Sequence, residues 1–136
     1  AMEKVVLPAR QAAAAAGRPS PTLVATRWVI AAPGEEEAWQ ALLPWRGLRA
    51  PGRLEAVDPE DLRRRADEMP RSEVLGRYTI APDADSVVAA YRPLVEQVGA
   101  DVVTLQVASL HQEDTIAVLG AEVLPRLRAL SGATAG

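Results

Sequence analysis

The chain has no cysteine and no phenylalanine, one histidine, three tryptophans and two tyrosines. Without cysteine there is neither a disulfide framework nor a thiolate metal site. A lone histidine leaves a zinc site short of ligands as well, so no metal is expected. No apolar run approaches the roughly 18 residues of a membrane-crossing helix. Ala1-Met2-Glu3-Lys4 leads into no long apolar stretch of the kind a secretion signal requires. The expectation is a soluble cytoplasmic protein with no membrane partner, with Ala1 read as the remnant of a processed tag. The net charge of −3 gives no electrostatic reason to expect nucleic acid. Phosphate-cradling glycine motifs, a GxSxG elbow and a Ser/His/Asp constellation are all missing, which removes the usual signatures of nucleotide binding and hydrolytic catalysis.

What is present is aliphatic. At 136 residues and 49% hydrophobic composition the chain is of single-domain size with enough apolar material for a core. Alanine, valine and leucine supply most of it, a composition suited to helices packed on a parallel sheet. Glu3 to Ala16 reads as a helix stopped by Gly17 and Pro19, with regular helix expected from Pro8 onward. Thr22 to Ala32, between Pro21 and Pro33-Gly34, reads as a buried strand. Glu35 to Leu43 is a short helix with acidic residues in its first turn. Pro44 to Gly52 is a loop, and Pro59 to Glu68 is a helix capped by Asp58. Arg71 to Gly76 fits a single helical turn, and Tyr78 to Ile80 a short extended piece.

The last third is the most ordered part of the pattern. Val87, Val88, Tyr91, Leu94, Val95 and Val98 form a core stripe on a helix over 86–98, which Pro93 is expected to kink and Gly99 to cap. Asp101 to Val107 is an apolar strand, and a strand apolar on both faces needs cover on both. Gln112 to Leu130 is a final helix whose apolar face is Ile116, Leu119, Val123, Leu124 and Leu127. Residues 131–136 are expected to be a disordered tail.

The order is α/β: two βα units joined by an insertion over residues 33–77. Connections this long are uncommon unless they carry function. In a β/α barrel the loops after the strand C-termini hold the site. Arg46, Arg49 and Arg53 lie in the insertion, and Arg77 lies just before the extended piece. Arginine reads phosphate or carboxylate through a planar fork, so these four are candidates for an anion site, against a solvated surface as the plainer alternative. Arg63-Arg64-Arg65 sits among Glu60, Asp61, Asp67 and Glu68 and reads as a helix face with i,i+4 pairs. His111 follows the second strand at a loop-to-helix junction near the expected barrel mouth. The three tryptophans read as packing residues.

The segment VDPEDLRRRADEMPRSEVLGRYTIAPDADSVVAAYRPLVEQVGADVVTLQVAS, with HQEDTIAVLGAEVLPRLRAL after it, resembles the C-terminal part of luciferase-like flavin and deazaflavin oxidoreductases. Within them it is most similar to the branch of F420-dependent glucose-6-phosphate dehydrogenases. The resemblance rests on Asp58 to Pro70, the Arg77-Tyr78 pair, YRPLVEQVGAD at Tyr91 to Asp101 and LPRLRAL at Leu124 to Leu130, in this order and spacing.

The resemblance implies the C-terminal portion of a (β/α)8 barrel spanning residues 1–130, its last two βα units plus the helical insertion. A complete barrel takes about 250 residues, so this one is incomplete. It further implies hydride transfer between the deazaflavin coenzyme F420 and a small, possibly phosphorylated substrate such as a sugar phosphate, in a homodimer or higher oligomer. FMN in a flavin-dependent monooxygenase is the alternative cofactor and activity. A non-catalytic, oligomerising module derived from the barrel is the other alternative, in which a partner copy would cover Val102, Val103 and Leu105. By the same resemblance Arg53 stands where the family has a lysine and Arg77 where it has an arginine, both holding the substrate phosphate. The family's catalytic His, Trp and Glu, and most cofactor contacts, come from the first half of the barrel. No catalytic or cofactor-binding residue is therefore assigned here, His111 included, and this portion alone is expected to be inactive.

Overall fold

The computed structural model describes the backbone of residues 2–133 and the side chains of residues 4–130. Helix α1 (Leu7–Ala15) is followed by strand β1 (Val24–Ala31) and α2 (Glu35–Leu42). Next come α3 (Pro59–Asp67), α4 (Arg71–Leu75) and strand β2 (Thr79–Ala81). Helix α5 (Ala84–Glu96), strand β3 (Val102–Ala108), α6 (Gln112–Val118) and α7 (Leu124–Ala133) complete the chain. The strands form one parallel sheet in the order β2-β1-β3. Val24 to Ile30 pair with Val102 to Ala108, and Val29 to Ala31 pair with Thr79 to Ala81. The piece expected only to be extended is thus a third strand, placed on the far side of β1. Three residues are too few to carry a period, and pairing is decided by the edge that β1 presents.

Local chemistry explains the boundaries. The Asp83 side chain accepts from the Ser86 amide at the start of α5, and the Asp58 side chain accepts from the Glu60 amide at the start of α3. At the other end of α5, Gly99 takes φ +64° and the Ala100 amide bonds back to Leu94 O. Two prolines lie next to π turns. Pro125 has no N–H for the carbonyl of Ala121, and the turn Leu119–Val123 precedes it. Pro8 stands likewise after the turn Met2–Val6. The π turn in the last helix holds one residue more per turn and rotates what lies upstream. Ile116, expected on the apolar face, is therefore turned out to solvent and 67% exposed, while Val123 and Leu127 are buried. The helix runs on to Ala133, beyond the expected end at Leu130, and residues 134–136 of the expected tail lie outside the described residues.

Two apolar clusters cover the sheet. Ala25, Val29, Val103, Leu105 and Ala81 face Val87, Val88, Tyr91 and Leu94 of α5 and Val123 and Leu127 of the final helix. On the opposite face Trp28, Ile30 and Ile80 pack with Ala38, Ala41 and Leu42 of α2, with Val74 and Leu75 of α4, and with Tyr78. The second cover reaches only the C-terminal half of the strands. At their N-terminal ends Val24 and Val102 are about half exposed, so the expected cover on both faces is met in part. Val103 and Leu105 point the other way, since side chains alternate along a strand. They pack against the helices and do not share Val102's exposure. No helix among the described residues is long and apolar enough to cross a membrane.

Candidate anion site

The insertion is a scaffold for three arginines. After α2 the chain makes a 3-10 turn at Arg46–Arg49, which lies close on α3: a Cβ on Gly47 would stand 3.0 Å from Leu62. This packing delivers Arg49. The chain then turns at Gly52, whose φ is +65°. Arg65 of α3 donates to the carbonyls of Pro51 and Gly52, both at 3.3 Å, and so holds the turn that carries Arg53. Arg65 also pairs with Asp61, Arg63 with Glu60, and Arg64 with Asp61 and Glu68. The expected helix-face pairs are there, with the added task at Arg65.

Gly52→Ala is predicted to be destabilising, because its Cβ would fall 2.3 Å from Arg65 Nη1 on a backbone that disfavours any side chain. The expected cost is about 1–2 kcal/mol, read by chemical denaturation. An unchanged midpoint would mean that the turn is not constrained as described.

Arg77 follows α4 and precedes β2. Arg49 and Arg77 clasp each other: the Arg77 guanidinium donates to Arg49 O at 2.6 Å, and the Arg49 guanidinium donates to Arg77 O. Tyr78 is buried behind them. Its hydroxyl donates to Trp45 O at 3.3 Å, and the Arg49 guanidinium lies 4.8 Å from its ring centre. Burial raises the Tyr78 hydroxyl pKa, and the charges of Arg49, Arg53 and Arg77 pull it back. Trp28 of β1 and Trp45 meet at 5.8 Å between ring centres. These groups line an open cleft of about 980 Å³ whose walls include Trp28, Arg49, Arg53, Arg77, Tyr78 and one carboxylate, Glu55.

Three of the four candidate arginines are thus brought together, from segments up to 28 residues apart. The fourth is not. Arg46 binds Asp67 through two parallel bonds of 2.5 and 2.8 Å, which raises the arginine pKa and lowers that of the acid. It is a structural pair. Arg53 donates to Leu48 O at 2.9 Å, and neither it nor Arg49 has a carboxylate partner among the ion pairs of the described residues. His111 lies elsewhere, exposed at the start of α6, with Nε2 3.8 Å from Glu37. Tyr78 and Trp28 were missed as cleft residues. The aromatic neighbour of Arg77 was visible in sequence, but its orientation was not.

The solved structure of an F420-dependent secondary alcohol dehydrogenase in complex with an F420-acetone adduct superposes on 93% of this chain with a TM-score of 0.72 and 21% identity. The fold is part of a (β/α)8 barrel. The barrel is incomplete, since the chain covers 39% of that structure. In sequence the chain is similar to the F420-dependent glucose-6-phosphate dehydrogenase of Nakamurella multipartita, with 30% identity over 94 residues. That match takes in 69% of this chain and 26% of the relative, so the chain spans about a quarter of the protein it resembles. No protein-family model matches. The expected resemblance to part of a luciferase-like oxidoreductase is thus borne out. The arginine cleft lies level with Trp28, part-way along β1, and with Arg77 and Tyr78 just before β2. The strand C-termini, the end at which barrel enzymes build their sites, lie further on, at Ala31, Ala81 and Ala108.

Proposed function

We propose that this chain is the C-terminal part of an F420-dependent, luciferase-like oxidoreductase, and that its own share of the work is to hold an anionic substrate, such as a sugar phosphate, on Arg53 and Arg77. The observation that carries the reading is the convergence of Arg53 and Arg77, together with Arg49, on one cleft beside Trp28 of β1 and the start of β2. The aromatic side chains of Trp28 and Tyr78 suit the carbon skeleton of such a substrate, and guanidinium forks suit its phosphate. The relatives' names support F420 as the cofactor. The deazaflavin, when bound, accepts or donates the hydride. No residue of this chain is assigned to its ring, and the binding and orientation of substrate are what these residues supply.

The half-exposed Val24 and Val102 face what would be the inside of a closed barrel. The remainder of the barrel is the natural cover for them and for the outer edge of β3. On this reading the chain by itself is inactive, and alone it self-associates through that edge.

The test is to express the full polypeptide that carries this chain, load it with F420, and follow the deazaflavin absorbance on adding sugar phosphates and simple alcohols. Reduction with a phosphorylated substrate, inhibited competitively by inorganic phosphate, is the expected result. Turnover of unphosphorylated alcohols with no effect of phosphate would refute the anion site and keep the oxidoreductase. No F420 binding at all would refute both.

A further inference from the structure

Arg77 differs from the other two cleft arginines in one respect. Its Nη2 donates to the Glu73 carboxylate at 2.9 Å, whereas the ion pairs of the described residues give Arg49 and Arg53 no acid partner. Glu73 lies on α4, and Arg77 lies beyond the end of that helix, on the loop entering β2. The Glu73 side chain is 54% exposed and is not part of the cleft wall, whereas Arg77 itself lines the cleft. The other terminal nitrogen, Nη1, donates to Arg49 O at 2.6 Å. A neutral carbonyl orients a guanidinium and leaves its charge intact; a carboxylate cancels it. Of the two bonds that hold Arg77, then, one positions it and the other competes with any incoming anion.

We propose that Glu73 is an internal competitor for the anion at Arg77, an affinity-setting residue that keeps the cleft from holding its ligand too tightly. The inference rests on the anion-site reading above. Binding an oxyanion on Arg77 requires the Glu73 pair to be broken or shared, and places two negative groups about one guanidinium. Both effects weaken binding, and both disappear when the carboxylate becomes an amide. Exposed pairs are individually weak, and a like charge one guanidinium away adds a comparable penalty. Their removal should tighten anion binding about three- to tenfold. A residue with a purely structural role would not produce tighter binding when it is replaced.

The experiment is calorimetric titration of the full polypeptide with inorganic phosphate, for wild type, Glu73→Gln, Arg77→Gln and the double variant, with thermal melts to confirm folding. Tighter binding in Glu73→Gln, weaker binding in Arg77→Gln and no gain from Glu73→Gln in the Arg77→Gln background is the expected pattern. Binding detectable only in Glu73→Gln, and lost in the double variant, supports the competitor in its strongest form. Phosphate binding that depends on Arg77 but is equal or weaker in Glu73→Gln overturns the competitor and leaves the anion site standing. Binding unaffected by Arg77→Gln, or absent in both wild type and Glu73→Gln, overturns the anion site itself. In turnover, Glu73→Gln should lower KM for the anionic substrate with no rise in kcat, because it strengthens ground-state binding.

Discussion

Tyr91→Ala should cost about 3–5 kcal/mol of folding stability, the largest loss expected of any single substitution in this chain. Tyr91 is fully buried in the cluster between the sheet and α5. Its hydroxyl also lies astride the ladder of the two long strands, donating to Arg27 O of β1 at 2.5 Å and accepting from the Gln106 amide of β3 at 3.2 Å. Tyr91→Phe separates the two contributions. It keeps the ring and strips two backbone groups of a partner, at an expected cost of about 1–3 kcal/mol. Urea denaturation monitored by tryptophan fluorescence measures both. Equal stability of wild type and Phe variant would show that the hydroxyl does nothing for the sheet.

The same residue sets a pH response. Burial pushes the Tyr91 hydroxyl up to about 12. An unfolded tyrosine ionises near 10, so below about pH 10 both states hold the proton and Tyr91 contributes no pH dependence. Between about 10 and 12 the unfolded chain ionises first, and stability falls as pH rises. The Phe variant should lack that part of the alkaline loss.

Arg77→Gln is expected to have the largest effect on activity. Loss of a charge-assisted bond to an anion is worth about 1.5–3 kcal/mol, or roughly 10- to 100-fold in binding. In the full polypeptide KM for a phosphorylated substrate should rise by about that factor with kcat little changed, the signature of binding shared by ground and transition states. Arg77→Lys should recover part of the loss, since it restores the charge without the fork. Arg46→Gln is the control: its guanidinium is committed to Asp67 outside the cleft, and KM should not move. An unchanged KM in Arg77→Gln would remove Arg77 from the site.

Much of the fold was legible because its signals are local. Asp58 and Asp83 announce helix starts, Gly99 announces a stop, and the spacing of Val87, Tyr91, Leu94 and Val95 marks a buried face; the structure keeps all of these. Ile116 marks the limit of such local signals. A strict helical period was carried across Pro125, and the π turn that accompanies that proline shifted the face. Strand β2 escaped for the opposite reason, since three residues carry too little pattern, and only the free edge of β1 makes them a strand.

The site divides in the same way. Sequence alone determined which side chains are able to bind an anion, because charge and fork geometry belong to the residue. The resemblance read from the same sequence implies Arg53 and Arg77 as the phosphate pair, and the Arg77 variants test its second member. Which arginines face the cleft was decided by tertiary structure. Arg46 and Arg49 are three residues apart on one 3-10 turn, yet one is consumed by Asp67 and the other reaches Arg77 and Tyr78. Partners 21 and 28 residues away make that difference. Spacing along a chain fixes only which residues share a local face; what waits opposite that face depends on how the insertion packs back onto the sheet.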